Sequence, residues 1–396
     1  MAGPGRRRRR MARVAPGDGA DHITALPLEL RARIASFLPF RQVAQLATLS
    51  RPWRRIHHHA PVVELKLHDW ASAAGGLNED ALAGLEVALA RRGRDGSASK
   101  VETLSITHGI DDPRVRRHGG LVVALADARS IRVTVPRVRR SPLDEWAVDL
   151  SPAARNLEVD AFWRLAPTVA GPGAAALRTL CLGGAVIHDW PCLPSLRALA
   201  LNNVAVMEPC PPGAWCPRLE CLYILASLIR VAHLDIRLPL LKRLMMQDVH
   251  TCPPGDITVD APELQDLHVY RTPGLPSVSS YKSFTLRAPR LRHLRWAEQS
   301  AERVHMDVGK PGSVTSGRIK FTWDGGFDGC PEMKDFRAQM MRMLQGLLPE
   351  MPPERVADAT RPYMSFDKYT VEYPDTSHPG EMLTCDLDGL MSSLNV

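Results

Sequence analysis

Apolar residues recur along this chain in two rhythms, and the change of rhythm divides it. Between residues 26 and 56 the spacing is helical. Leu30, Ile34 and Leu38 fall at i, i+4 and i+8, with Phe37 beside them, so they predict one stripe on a helix. Pro27 suits a first helical turn, where its missing N–H costs nothing, and Pro39 stops the helix. Val43, Leu46 and Leu49 predict the apolar face of a second helix. Ser50 can cap a third, short helix, with Pro52 in its first turn and Trp53 behind it. Three small helices cannot bury this many apolar side chains among themselves, and such a surplus points to a covering partner.

Beyond residue 60 the rhythm shortens to an alternation inside a longer repeat, apolar-x-x-Leu-x-apolar. The clearest copies start at Leu177 (Leu180, Leu182), Leu196 (Leu199, Leu201), Leu219 (Leu222, Ile224), Leu241 (Leu244, Met246), Leu264 (Leu267, Val269) and Leu291 (Leu294, Trp296). Their starts are 19, 23, 22, 23 and 27 residues apart. Weaker copies read from Val62 (Leu65, Leu67), Val101 (Leu104, Ile106), Ala128 (Ile131, Val133) and Ala154 (Leu157, Val159), and another falls around Ile319 and Phe321. A period in the twenties with this phrase is the signature of leucine-rich repeats. Each unit offers one strand and one return segment, neither able to bury its apolar face alone. Stacking predicts a solenoid with a parallel strand layer on its concave side. The asparagine usual after the third apolar position is replaced by Ala185, Val204, Ser227, Val249, Thr272 and Gln299, so the repeats are irregular.

Two segments interrupt the array. Leu82, Leu85 and Leu89 predict a helix over 78–92. Met333, Phe336, Met340, Leu344, Leu347 and Leu348 predict an amphipathic helix of about four turns that caps the last repeat. Lys368 to Tyr373 offers a final strand. The expected class is therefore α/β: three N-terminal helices, a solenoid, and a C-terminal capping helix. The boundaries read as 1–20 for a basic tail, 21–60 for the helices, 61–325 for the solenoid, and 326–396 for cap and tail.

Charge changes the picture once. The total is +7, but twelve arginines against Asp18, Asp21 and Glu29 give residues 1–60 a net +9, so the remaining 336 residues sum to −2. The bulk of the protein is not a basic surface, which argues against nucleic acid as partner. A DNA-associated reading rests only on Arg6 to Arg10 and Arg13, a run that reads equally as a solvated tail or a nuclear import signal. No apolar h-region follows it, and the longest strongly apolar stretch, Cys221 to Ile229, is far short of the roughly 20 residues that span a bilayer. A nuclear or cytoplasmic protein that does not enter membranes is the expectation.

Chemistry is sparse. Eight cysteines, at 181, 192, 210, 216, 221, 252, 330 and 385, contain no C-x-x-C pair and no zinc spacing, and they read as thiols that pack as small hydrophobes. His57-His58-His59 makes a poor chelate and reads as a solvated linker. Asp324 to Gly329 has oxygen ligands but lacks the length and terminal glutamate of a calcium loop, and reads as a turn. No nucleophile elbow, phosphate-binding glycine loop or zinc-protease helix occurs. The expectation is no catalytic residue, no metal and no cofactor.

The run Leu26-Pro27-Leu28-Glu29-Leu30, through Ile34, Leu38-Pro39, Val43, Leu46 and Leu49, to Ser50 and Trp53-Arg54, resembles the F-box. Pro52 is a mild departure from it, standing where the family more often has a basic or polar residue. The repeats resemble those of plant F-box proteins, including the phrase Ala-Pro-x-Leu-x-x-Leu at Ala261–Leu267 and Ala288–Leu294. The resemblance implies docking to a Skp-type adapter, and through it to a cullin-based ubiquitin ligase. The implied adapter-binding residues are Leu26, Pro27, Leu28, Leu30, Ile34, Phe37, Leu38, Val43, Leu46, Leu49 and Trp53. The concave repeat face would hold a target protein whose identity the sequence does not carry. The alternative is a leucine-rich-repeat scaffold outside the ubiquitin pathway, with the helical stripe buried on the repeats.

Overall fold

The computed structural model describes residues 23–49, 51–67, 78–94, 100–107, 122–135, 144–190, 192–209, 215–272, 281–310, 313–320, 346 and 365–367. Helices α1 (Leu28–Ala35) and α2 (Phe40–Leu49) come first, followed by 3₁₀ turns at Arg51–Trp53 and Ile56–His58. The chain continues through β1 (Val62–Lys66), helix α3 (Glu79–Arg94), β2 (Thr103–Thr107), β3 (Ser130–Thr134), β4 (Asp144–Asp149), β5 (Asn156–Ala170) and β6 (Thr179–Ile187). Next are β7 (Ala198–Asn202), β8 (Ala205–Val206), β9 (Cys221–Leu225), β10 (Leu228–Ile229), β11 (His233–Arg237), β12 (Arg243–Gln247), β13 (His250–Thr251) and β14 (Asp256–Asp260). Last come β15 (Asp266–Tyr270), β16 (Tyr281–Arg287), β17 (His293–Ala297), β18 (Ala301–Asp307), β19 (Ser316–Lys320) and β20 (Ser365–Asp367).

Strands β1, β2, β3, β5, β6, β7, β9, β12, β15, β17 and β19 lie side by side in chain order, each parallel to the one before. Their register stacks Val63, Leu104, Ile131, Leu157, Leu180, Leu199, Leu222, Leu244, Leu267 and Leu294 in one ladder. Two residues on, Leu65, Ile106, Val133, Val159, Leu182, Leu201, Ile224, Met246, Val269 and Trp296 form a second. Every member of both ladders is buried. The six strong repeats thus align as their spacing predicts. The first copy does not: its phrase begins at Ala60, with Val63 and Leu65 inside, two residues before the expected Val62 start. A slip of two leaves the same face of a strand inward, so alternation alone cannot detect it. Pairing with Leu104 and Ile106 fixes it.

The return segments are mostly strands, which corrects the α/β expectation for the solenoid. A second parallel sheet, β11-β14-β16-β18, backs the last turns, and a short ladder joins the end of β6 to β8, β10 and β13. Among the described residues of this region, α-helix is confined to α3, with Leu85 and Leu89 buried, and to a short stretch at 122–126. After five of the inner strands, β6, β7, β9, β12 and β17, the chain turns through a left-handed residue four places beyond the ladder leucine. These are Gly184, Asn203, Ala226, Asp248 and Glu298, with φ between 46° and 57°. Glycine, asparagine and aspartate tolerate that region, whereas alanine and glutamate are held there by the stacking on either side. Gly173 is needed for space instead: a Cβ would lie 2.0 Å from the Ser151 carbonyl oxygen.

The missing asparagine is partly replaced. Ser227, fully buried, accepts from the Val204 N–H at 3.1 Å and donates to the Leu225 carbonyl at 2.7 Å. One turn later the Asp248 carboxylate accepts from the Thr272 N–H and hydroxyl at 2.6 and 2.7 Å. At the far end β20 runs antiparallel to β19, just before the strand expected at Lys368 to Tyr373, which lies outside the described residues. Of the predicted capping helix only Gly346 is described. It is helical, and so close to β18 that a Cβ would meet the Val304 carbonyl oxygen at 1.9 Å. The Arg6–Arg10 run, Ser50, Phe321 and the Asp324–Gly329 turn also lie outside the described residues.

Candidate functional site

The helical segment builds a small core of its own from Ala32, Ala35, Val43, Trp53 and Ile56, with Leu28, Leu38 and Leu46 partly buried against it. Arg31 holds it together, donating to the carbonyls of Leu26 at 3.0 Å and Pro52 at 2.6 Å, and the Trp53 indole donates to the Thr24 hydroxyl at 3.3 Å. α1 stops at Ala35, so Leu38 sits past the helix, in the turn before α2. Pro27 is the N-cap residue, with extended backbone, and Leu28 opens the helix.

The opposite side of α1 is open. Leu30 is 49% exposed, Ile34 41% and Phe37 82%, although all three are large and apolar. The eleven expected docking residues therefore divide. Leu30, Ile34 and Phe37 form the exposed face, Leu26 and Leu28 are half-buried beside it, and Pro27 is exposed at its start. Val43 and Trp53 are interior and shape that face from behind, with Leu38 and Leu46 partly so. The Leu49 side chain lies outside the described residues.

This cluster is not tethered by a solvated linker, as the three histidines suggested. Phe40 belongs to the solenoid core and meets the His57 ring edge-on, with centroids 6.5 Å apart. The buried Arg92 guanidinium, from α3, donates to the carbonyls of His57 at 2.8 Å and Ala60 at 2.6 Å. Burial, with His58 and Arg92 nearby, pushes the His57 imidazole down to about 4, and burial lowers Arg92 to about 10. The histidines read as a linker because a run of polar residues carries no sign of what packs over it. The signal lay in Phe40 and Arg92, two residues outside the run.

The second surface is the outward side of the inner strand layer. It changes along the solenoid. In β1, β2, β12, β15 and β17 burial alternates residue by residue, and outward positions carry Glu64, Ser105, Met245, His268 and Arg295. Arg132 and Glu158 pair across β3 and β5 at 2.7 Å. Toward the far end, Arg295 lies over the Tyr270 ring, 5.3 Å from its centroid, and the Tyr270 hydroxyl donates to Gln247 at 2.5 Å. Burial and the neighbouring Arg295 lower the His268 imidazole. Between these polar ends, Cys181, Ala198, Ala200, Cys221, Tyr223 and Leu225 form a separate apolar cluster, with Met245 against it. Sequence reading missed this patch. Its signal was visible: Ala198–Asn202 and Cys221–Leu225 read as nearly continuous apolar runs rather than alternations.

Residues 155–311, from the start of β5 past the end of β18, match the family model described as FBD-associated F-box protein At5g56370, LRR repeats. These turns are leucine-rich repeats. The match bears out the resemblance to plant F-box/leucine-rich-repeat proteins. No curated protein and no solved structure matches the chain. Among the described residues no group of three or more histidines, cysteines or carboxylates is placed to hold a metal, and no helix is long and apolar enough to cross a membrane. Cys181, Cys216 and Cys221 are buried, and burial drives the Cys216 thiol up to about 12, where it stays a protonated hydrophobe at neutral pH.

Proposed function

We propose that this protein is a substrate-recognition subunit of a Skp–cullin–F-box ubiquitin ligase. α1 and its flanking turn would grip the adapter, and the strand layer of the repeats would hold a target protein. The observation that carries this reading is the open Leu30/Ile34/Phe37 face on a helical cluster whose other side is committed to its own core and to the repeats. A scaffold without an adapter would leave that face without purpose. Support for the repeat half comes from the F-box-associated family match, a family whose members are typically non-catalytic.

The receptor's contribution is proximity. Holding a target's lysines near a charged ubiquitin-conjugating enzyme raises their effective concentration to about the mM range for a well-matched span. Docking of the helical cluster on the repeats through Phe40, His57 and Arg92 fixes the relative placement of adapter and target, which a flexible linker would not. The segment around Gly346 would close the last repeat as a cap. Arg6 to Arg10 would serve a nuclear or cytoplasmic protein as an import signal.

Co-purification with a Skp-type adapter tests the reading. The wild-type chain should retain the adapter, and Leu30→Asp with Ile34→Asp should lose it, because each buried aliphatic contributes roughly 1.5–3 kcal/mol and a desolvated carboxylate opposes contact. Adapter binding that survives both changes would sink the assignment.

A further inference from the structure

The residue just before each inner strand lies at the starting edge of the strand layer, and four consecutive turns carry the same charge there. Strand register puts Arg129, Arg155, Arg178 and Arg197 in one row, each one place ahead of the in-register Ser130, Asn156, Thr179 and Ala198. Backbone bonds tie the row together. The Arg155 N–H donates to the Arg129 carbonyl at 2.8 Å, that of Arg178 to Arg155 at 2.7 Å, and that of Arg197 to Arg178 at 2.8 Å. Arg129, Arg178 and Arg197 are exposed, and Arg155 is half-buried. Among the described residues the side chains of Arg129 and Arg178 meet no partner, and Arg155 donates only to the carbonyls of Pro152 and Ala154.

Like charges on neighbouring strands, about 4.8 Å apart, repel, and a surface that needs only solubility does not stack them. The outer sheet shows the alternative. One of its rows alternates Arg237, Asp260, Arg287 and Asp307, with Arg287 3.8 Å from the Asp260 carboxylate. The arginine row is therefore a concentration of charge that packing does not require, in a chain whose residues beyond 60 sum to −2. It is also bounded. Glu102 precedes Arg129 in the same register, and Glu220 follows Arg197, 3.7 Å from it and 2.7 Å from Lys242. A nucleic-acid strand is a continuous polyanion that would run onto both glutamates, and the positions of the row offer no aromatic ring for a base to stack on. Three strand spacings make the row about 14 Å long, which about five extended residues cover. A short run of carboxylates fits both that length and that charge.

We propose that Arg129, Arg155, Arg178 and Arg197 dock a short acidic segment of the target protein, whose carboxylates accept charge-assisted hydrogen bonds from the guanidinium groups. The row borders the outward face of the strands, so a target seated on that face lays its acidic segment along the edge. That the partner is a target rests on the receptor reading. Adapter docking, on α1, plays no part in it.

A fluorescein-labelled oligoglutamate, followed by anisotropy at low salt, is the probe. Every full-length chain carries Arg6→Gln, Arg7→Gln, Arg8→Gln, Arg9→Gln and Arg10→Gln, so that the N-terminal run does not capture it. In that parent, Arg129→Gln with Arg178→Gln and Arg197→Gln should weaken binding about tenfold, as the loss of three exposed charge pairs implies, and raised salt should erase the difference. Arg129→Lys with Arg178→Lys and Arg197→Lys keeps the charge and should keep most of the affinity. Arg237→Gln with Arg287→Gln and Arg303→Gln removes the same charge from the outer sheet and should leave binding unchanged. If the triple glutamine variant of the row melts early, Arg178→Gln alone decides, with an expected loss of about twofold to threefold. The proposal is overturned by a parent that does not bind, by equal binding of parent and row variant, or by equal weakening in the row and the outer sheet. A single-stranded oligonucleotide of the same charge that binds the row more tightly than oligoglutamate overturns it as well. Adapter co-purification is read on the same chains. Adapter retained without the oligoglutamate contrast sinks the row alone, and the contrast retained without adapter sinks the receptor reading and leaves the row a site for acidic segments.

Discussion

The helical cluster and the solenoid spend their apolar residues in opposite ways. Along the inner strands every second residue enters a ladder, and the largest side chains, Trp296, Phe284 and Tyr281, are wholly buried. The cluster's own core rests on two alanines, a valine, an isoleucine and a tryptophan, while Leu30, Ile34 and Phe37 are left outside. A segment of this size could have turned its leucines inward. That it buries alanines Ala32 and Ala35 instead shows a helix packed closely on one side so that its larger residues face the other. The solenoid buries its large side chains by repetition, whereas the cluster leaves three of its own outside.

Truncating a ladder leucine should break the larger side of this comparison. Leu222→Ala or Leu244→Ala should cost about 2–5 kcal/mol in chemical denaturation, since each leaves a cavity between turns that stack on both sides. Leu294→Ala, near the end of the array, should cost less. Equal losses at centre and end would mean that the turns do not stabilise one another.

The seam between the regions should be weaker. Arg92→Met removes two donated hydrogen bonds from a charged group to the carbonyls of His57 and Ala60, each worth about 1.5–3 kcal/mol. Part of that loss is offset by no longer burying a charge. Hydrogen exchange should rise in α1 and α2 and stay unchanged in β9 and β12. Uniform change through both regions would show that they unfold as one unit.

Acid should loosen the same seam. His57 is lowered to about 4 in the fold, from 6.5 when unfolded, so the unfolded chain binds the extra proton. The stability tied to neutral His57 is therefore complete above pH 6.5 and is lost as pH falls toward 4. His57→Gln should flatten the pH dependence of melting across that window, and an unchanged slope would remove His57 as its source. Half-exposure of the ring keeps the effect modest.

Smallest of all should be the effect of the open face on the isolated chain. Phe37→Ser should move the melting midpoint by no more than the equivalent of about 0.5 kcal/mol, because this side chain is 82% exposed and gains little burial from folding. A large loss would show that the repeats, not a partner, need it.

Much of this was legible in the chain. The ladder leucines from Leu180 to Leu294 followed from a repeat phrase, because a period-two strand inside a fixed longer period allows one inward set. Leu30 and Ile34 on one face of α1 followed from helical spacing, whereas Leu38, expected on the same stripe, falls in the turn past the helix. Three features did not. The first repeat began at Ala60 rather than Val62, since a two-residue slip preserves the pattern and only pairing with the next strand chooses. The return segments became strands because neighbouring turns offered backbone partners that no local propensity records. The histidine run became a packed seam because Phe40 and Arg92 approach it from elements on either side of it in the chain. Sequence determined which residues are apolar and how often they recur, which is enough to say that turns stack. Tertiary structure decided which face of each element meets another, because that depends on the geometry of residues far apart along the chain.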